Sequence, residues 1–168
     1  MCSDKYDQNF LKSKCVKIEN FLTQAENQKI IESVIKLEAY FEKSTTSLGS
    51  NDPDFRISKL LHLAPISKAR ISSRIRLVLP QVLAKLGYPE FPIARIEAQV
   101  TAHNHGHYYQ THNDNGTPNV AKREITYVYY FYQQPQQFSG GELVLYDEKI
   151  DNNYLMPSNS FIKISPKF

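Results

Sequence analysis

The chain has 168 residues, 41% hydrophobic, 12% aromatic and 22% charged, with a formal net charge of +3. That length and aromatic content exclude a disordered protein and allow one domain with a sizeable core. No apolar run reaches the roughly 18 residues of a membrane span. The start, MCSDKYDQNFLKSKC, lacks the apolar stretch of a secretory signal, and Cys2 and Cys15 are too few for a disulfide framework, so a reducing, cytoplasmic setting is expected.

In chain order, Phe21, Ile30, Ile31, Val34, Ile35 and Leu37 recur at helical spacing behind Thr23, a candidate N-cap, which predicts an amphipathic helix over 24–43. The segment STTSLGSNDPD (44–54) reads as a loop. A second helix is expected from about 67 to 86, with Gly87 as its terminating residue and Pro80 kinking or splitting it. Seven basic residues and no acid lie between Arg56 and Lys85. This stretch is read as a solvated helix face rather than a nucleic-acid footprint, because no recognition motif accompanies it. His62, between Leu61 and Leu63, reads as a structural histidine.

After Pro92 the period changes to two. Strands are expected at 93–103, 123–132, 141–147 and 160–165, with loops at 113–119 and 133–141. Helices followed by strands give an α+β chain, divided into a helical region (1–92) and a β region (93–168).

Four histidines, His103, His105, His107 and His112, fall within ten residues, and Asp114 follows two residues after the last. On a strand, residues i and i+2 share a face. His112 and Asp114 would then offer an imidazole and a carboxylate side by side, two ligands of a 2-His-1-carboxylate facial site for Fe(II). A bare H-x-D is a weak signal, and alone it reads more simply as an exposed polar pair. His105 and His107 are read as exposed or substrate-facing, and Glu142 and Asp147 as surface or loop-closing carboxylates. Tyr127, Tyr129 and Tyr132 are read as packing or cross-strand residues.

Three features in order resemble a known family. Tyr109 stands three residues before His112 in YQTHND, Arg123 opens REITYVYYFY, and SGGELVLYD follows a loop. Across about 93–165 the chain resembles the Fe(II)/2-oxoglutarate-dependent oxygenases of the prolyl 4-hydroxylase type. The resemblance implies a double-stranded β-helix (jelly-roll, cupin-like) carried on an N-terminal helical support layer. It implies His112 and Asp114 as iron ligands and catalytic residues, and Tyr130, Tyr109 and His103 as residues around 2-oxoglutarate. Gly140 and Gly141 match a turn where the backbone needs room. The implied cofactors are Fe(II), 2-oxoglutarate as co-substrate, and ascorbate. The implied reaction hydroxylates a C–H of a peptide, protein or small molecule with O2, releasing succinate and CO2. No membrane partner is expected, and a homodimer is an open option.

The family also uses a second His and an Arg or Lys that holds the far carboxylate of 2-oxoglutarate. No His follows His112 and no Arg follows Arg123. The barrel is therefore expected to be incomplete at the C-terminus and the 168-residue chain to be a poor catalyst. The competing expectations are a non-catalytic jelly-roll module completed by a partner chain, and a cupin-like metal hydrolase or isomerase.

Overall fold

The computed structural model describes residues 10–45, 52–61, 65–152 and 154–167. Cys2 and His62 lie outside them. Helix α1 (Gln24–Lys36) starts where its sequence says it should. The Thr23 hydroxyl accepts the Glu26 amide at 3.2 Å, and the Glu26 carboxylate accepts the Thr23 amide at 2.9 Å. This reciprocal box satisfies two amides that a helix start leaves without partners. The helix expected to reach residue 43 stops at Lys36, however, and a single 3-10 turn (Glu38–Tyr40) follows. Phe41 is extended at φ −72° and ψ 124°, and it feeds strand β2 (Glu42–Lys43). Strand pairing in the tertiary structure overrides the local helical pattern here.

Helix α2 (Pro65–Leu86) runs unsplit through Pro80, against the expected break. Proline there removes the donor to the Arg76 carbonyl, a local loss that the ladder on both sides tolerates. The helix ends as expected. Gly87 takes φ +76°, its amide bonds the Ala84 carbonyl, and the Tyr88 amide bonds the Leu83 carbonyl at 2.9 Å. That pair of bonds is the Schellman arrangement, which needs the left-handed backbone that glycine adopts without strain.

The two helices bury Leu22, Ile30 and Ile71 together, with Phe21, Val34, Ile75, Tyr129 and Phe131 packed against them. Leu83, 2% exposed, is the most deeply buried large side chain among the described residues. Arg70 and Arg74 face Glu26 at 3.9 and 3.6 Å. Part of the basic stretch thus serves to tie α2 to the start of α1. Among the described residues no helix is long and apolar enough to cross a membrane.

The strands form three small sheets. The first has the order β1 (Phe10–Leu11), β7 (Leu143–Asp151), β8 (Tyr154–Ile164). The second orders β2, β4 (Lys59–Leu61) and β5 (Val100–Ala102), and the third pairs β3 (Arg56–Ile57) with β6 (Tyr108–Tyr109). All the pairings are antiparallel. The first 92 residues, read from sequence as helical, thus also supply strands β1 to β4.

The expected strands at 141–147 and 160–165 are present and longer, whereas the one at 93–103 shrinks to three residues. The run 123–132 carries no strand at all. Its side chains find other partners: the Tyr127 hydroxyl donates to the Glu97 carbonyl, and the Tyr129 hydroxyl to Asn27 Oδ1. Alternation predicts which side chains share a face, not that a neighbouring strand is there to pair with. The described residues form a mixed helix and sheet structure without a closed barrel. Gly140 and Gly141 take φ +82° and +77° just before β7, the turn expected of that pair.

Candidate metal centre

The site grows out of the β3–β6 pair. Arg56 lies opposite Tyr109, and Ile57 opposite Tyr108. The Gln110 amide extends the pairing by bonding the Phe55 carbonyl at 2.9 Å. Beyond Gln110 the chain leaves the sheet, so His112 and Asp114 sit in a loop rather than on the expected strand. They nonetheless converge, with His112 Nε2 and Asp114 Oδ1 3.6 Å apart. Their side chains keep 27% and 42% of their exposure, which leaves the pair open on one side.

Three constraints fix the imidazole. Its Nδ1 lies 2.7 Å from the Gln110 carbonyl, so Nδ1 carries the proton and the lone pair is on Nε2. The Tyr109 ring stacks on it at 3.6 Å between centroids, tilted by 22°. Phe55 meets Tyr109 edge-on at 5.4 Å and His112 at 6.2 Å. Asp114 is held as firmly. Its Oδ2 accepts the Thr126 hydroxyl at 2.7 Å, and its backbone carbonyl accepts from Arg123. Arg123 is itself anchored on Glu97, which also faces Arg95 at 3.4 Å.

The charges follow from this arrangement. Lost hydration pulls the His112 pKa down, but Asp114 and the Gln110 carbonyl outweigh it, so the imidazole titrates above its ordinary value. The bond to His112, helped by Thr126 and opposed by burial, holds Asp114 below the ordinary carboxylate range. In its neutral form, with the lone pair on Nε2, the imidazole stands beside an ionised carboxylate, and the two, each with its other atom already bonded, form a donor pair that suits Fe(II). The fit is to two ligands: among the described residues no group of three His, Cys, Asp or Glu converges on one point.

The other residues named from sequence divide. Tyr109 is in the site. His103 and His112 share a neighbour in Arg56, and reduced hydration, the Arg56 charge and His107 together hold the His103 pKa down. Tyr130 stands apart. Its hydroxyl titrates above its ordinary value because burial outweighs a hydrogen bond with the Leu143 backbone, and the Glu142 charge adds to the rise. Asp147, read as a surface or loop-closing carboxylate, is buried, and it accepts the Ser13 amide and the Ser160 hydroxyl.

Sequence reasoning missed Arg56, which was submerged in the basic stretch. Only 9% of it is exposed. Its guanidinium carbon lies 4.4 Å from the Tyr109 ring centre, and its Nε donates to Ser58 Oγ at 2.8 Å. Ser58 in turn donates to Ser44 at 2.8 Å. Among the described residues no carboxylate stands within ion-pair distance of Arg56. An aromatic face offsets up to about 2 kcal/mol. Burying a charge costs several kcal/mol, so the ring alone does not balance it. The available signal was the alternation Arg56-Ile57-Ser58, which puts two polar side chains on one face of a short strand.

Residues 98–168 match the family model of the 2OG-Fe(II) oxygenase superfamily. Over those residues the chain resembles this superfamily. It is also 45% identical over 160 residues to an uncharacterised PKHD-type hydroxylase of Synechocystis sp., an alignment covering 94% of this chain and 52% of that relative. The chain spans about half the length of the curated relative it matches. No solved structure matches it. The His112–Asp114 pair lies within the matched residues.

Proposed function

We propose that these residues carry the iron-binding face of a hydroxylase in which His112 and Asp114 are two of the metal ligands. The observation that carries this reading is the pair itself: an imidazole whose Nδ1 is bonded to the Gln110 carbonyl, with its Nε2 3.6 Å from Asp114 Oδ1. Bound Fe(II) would couple the decarboxylation of 2-oxoglutarate to hydroxylation of a C–H by O2, with succinate and CO2 released and ascorbate keeping the metal reduced. The chain's own part is to hold the donors. Gln110 sets the His112 tautomer, Tyr109 sets its ring plane, and Thr126 leaves Asp114 Oδ1 free to ligate. The substrate class is a peptidyl or small-molecule C–H in a reducing, cytoplasmic setting.

The test is anaerobic retention of labelled 2-oxoglutarate with and without Fe(II). Retention that depends on Fe(II) and disappears in His112→Ala and Asp114→Ala is expected. Retention indifferent to Fe(II), or unchanged in both variants, contradicts the reading and favours a module with no metal role.

A further inference from the structure

We propose that Asn115 is a self-modification site, where loss of its side-chain amide as ammonia puts a new carboxylate beside Asp114. Asparagine is a labile side chain, and its lability depends on the residue that follows it. Asn115-Gly116 is the sole Asn-Gly step in the sequence. It lies in the loop that carries Asp114, and both residues are exposed. The Asn115 carboxamide makes no hydrogen bond among the described residues, and neither does the Gly116 amide. The carbon to be attacked and the nitrogen that attacks it are thus both unprotected. No side chain on residue 116 stands in the way.

Packing keeps that residue bare. Gly116 does not take the left-handed backbone, so conformation alone does not demand a glycine there. A Cβ at this position would instead collide with Asn113 Oδ1. The side chain of Asn113 therefore excludes any larger residue at 116, and the bare residue leaves Asn115 reactive.

The step needs no co-reactant other than water. The Gly116 nitrogen bonds to Asn115 Cγ, the Cγ–Nδ2 bond breaks, and Nδ2 leaves as ammonia with the Gly116 amide proton. Water then opens the resulting succinimide at either of its carbonyl carbons. One opening gives aspartate; the other gives isoaspartate, whose main chain is longer by a single carbon. Both products add a negative charge next to Asp114. That carboxylate is held by the Thr126 hydroxyl at 2.7 Å, and its backbone carbonyl accepts from Arg123 at 3.2 Å. The isoaspartyl product also lengthens the chain directly after Asp114, which displaces both contacts. The proposal goes beyond the two-ligand reading, because neither its chemistry nor its test involves a metal.

The experiment is incubation of the folded, metal-free chain at mildly alkaline pH, followed by ammonia assay and peptide mass mapping. Ammonia release is expected together with aspartate and isoaspartate at position 115, isoaspartate in excess. The rate should rise with pH, because the Gly116 amide must lose its proton to attack. Asn115→Gln should lose this release, since its extra methylene demands a less favourable six-membered ring. The isoaspartyl fraction, separated by anion exchange, should show displaced amide resonances at Asp114, Arg123 and Thr126. Those of the β7–β8 hairpin should stay in place.

Ammonia release that leaves residue 115 intact, or that persists in Asn115→Gln, overturns the proposal. So does a folded chain that stays unmodified while a short peptide containing NDNGT deamidates. Unmoved resonances at Asp114, Arg123 and Thr126 in the isoaspartyl fraction overturn the claimed effect on the Asp114 support. Because these measurements contain no metal, their failure is separable from a failure of Fe(II)-dependent 2-oxoglutarate retention.

Discussion

The β7–β8 hairpin and the β3–β6 pair hold their residues in opposite ways. The hairpin runs through eight registered pairs from Leu143↔Ile164 to Asp151↔Tyr154, yet Leu155, Met156, Phe161 and Ile162 on it remain exposed. Its geometry is carried by the backbone ladder. The β3–β6 pair has two registered positions, and the site beyond it has none. There the geometry is carried by side chains: a ring stack, an imidazole bonded to a carbonyl, a hydroxyl on a carboxylate and an arginine over a tyrosine. A ladder tolerates substitution of any one side chain, whereas a side-chain network does not. The loop is thus the more fragile region and the more specific one.

The largest effect should come from outside both regions, at the most deeply buried large side chain among the described residues. Leu83→Ala opens a cavity under α2 and should lower the unfolding free energy by about 2–5 kcal/mol. Urea denaturation read by far-ultraviolet circular dichroism checks it. A cost under about 1 kcal/mol would mean that Leu83 is not in a close-packed core.

The next substitution separates the regions. Thr126→Val removes the hydroxyl that orients Asp114 and should weaken Fe(II) binding roughly 10- to 100-fold, as loss of a partner behind a metal ligand does. Ser160→Ala removes the hydroxyl on Asp147 in the hairpin and should leave Fe(II) binding unchanged. Equal effects in anaerobic equilibrium dialysis would erase the distinction.

The smallest effect is one of pH and concerns the hairpin alone. The Ser160 hydroxyl and the Ser13 amide hold the Asp147 carboxyl below the ordinary aspartate range. A carboxyl with a lowered folded-state pKa contributes stability that is fully present above its unfolded-state value and lost as pH falls through the folded one. The protection factor of the Ser13 amide against hydrogen exchange, taken relative to the intrinsic rate at each pH, should therefore fall on acidification through that window, and Asp147→Asn should abolish that fall. A flat profile in the unaltered chain would show that Asp147 does not clasp β1 to β7.

The same contrast explains what the sequence disclosed. Helix α1 announced its start through Thr23 and Glu26, and α2 its end through Gly87, because caps are local chemistry. The strands around 143–151 and 154–164 showed through alternation. The run 123–132 alternates just as well and forms no strand, since strand pairing depends on a neighbour that the local pattern does not encode. His112, Asp114 and Tyr109 were legible as a spaced motif. Arg56 was not, because its meaning comes from lying opposite Tyr109, more than fifty residues away. Thr126 and Gln110 were hidden for the same reason.

The most direct measurement of the central claim is the nitrogen chemical shift of each imidazole during titration with Zn(II), a diamagnetic stand-in for Fe(II). The account predicts that Nε2 of His112 moves first while its Nδ1 keeps its proton, and that His103, His105 and His107 stay in place. Movement at those three with His112 unchanged would contradict it.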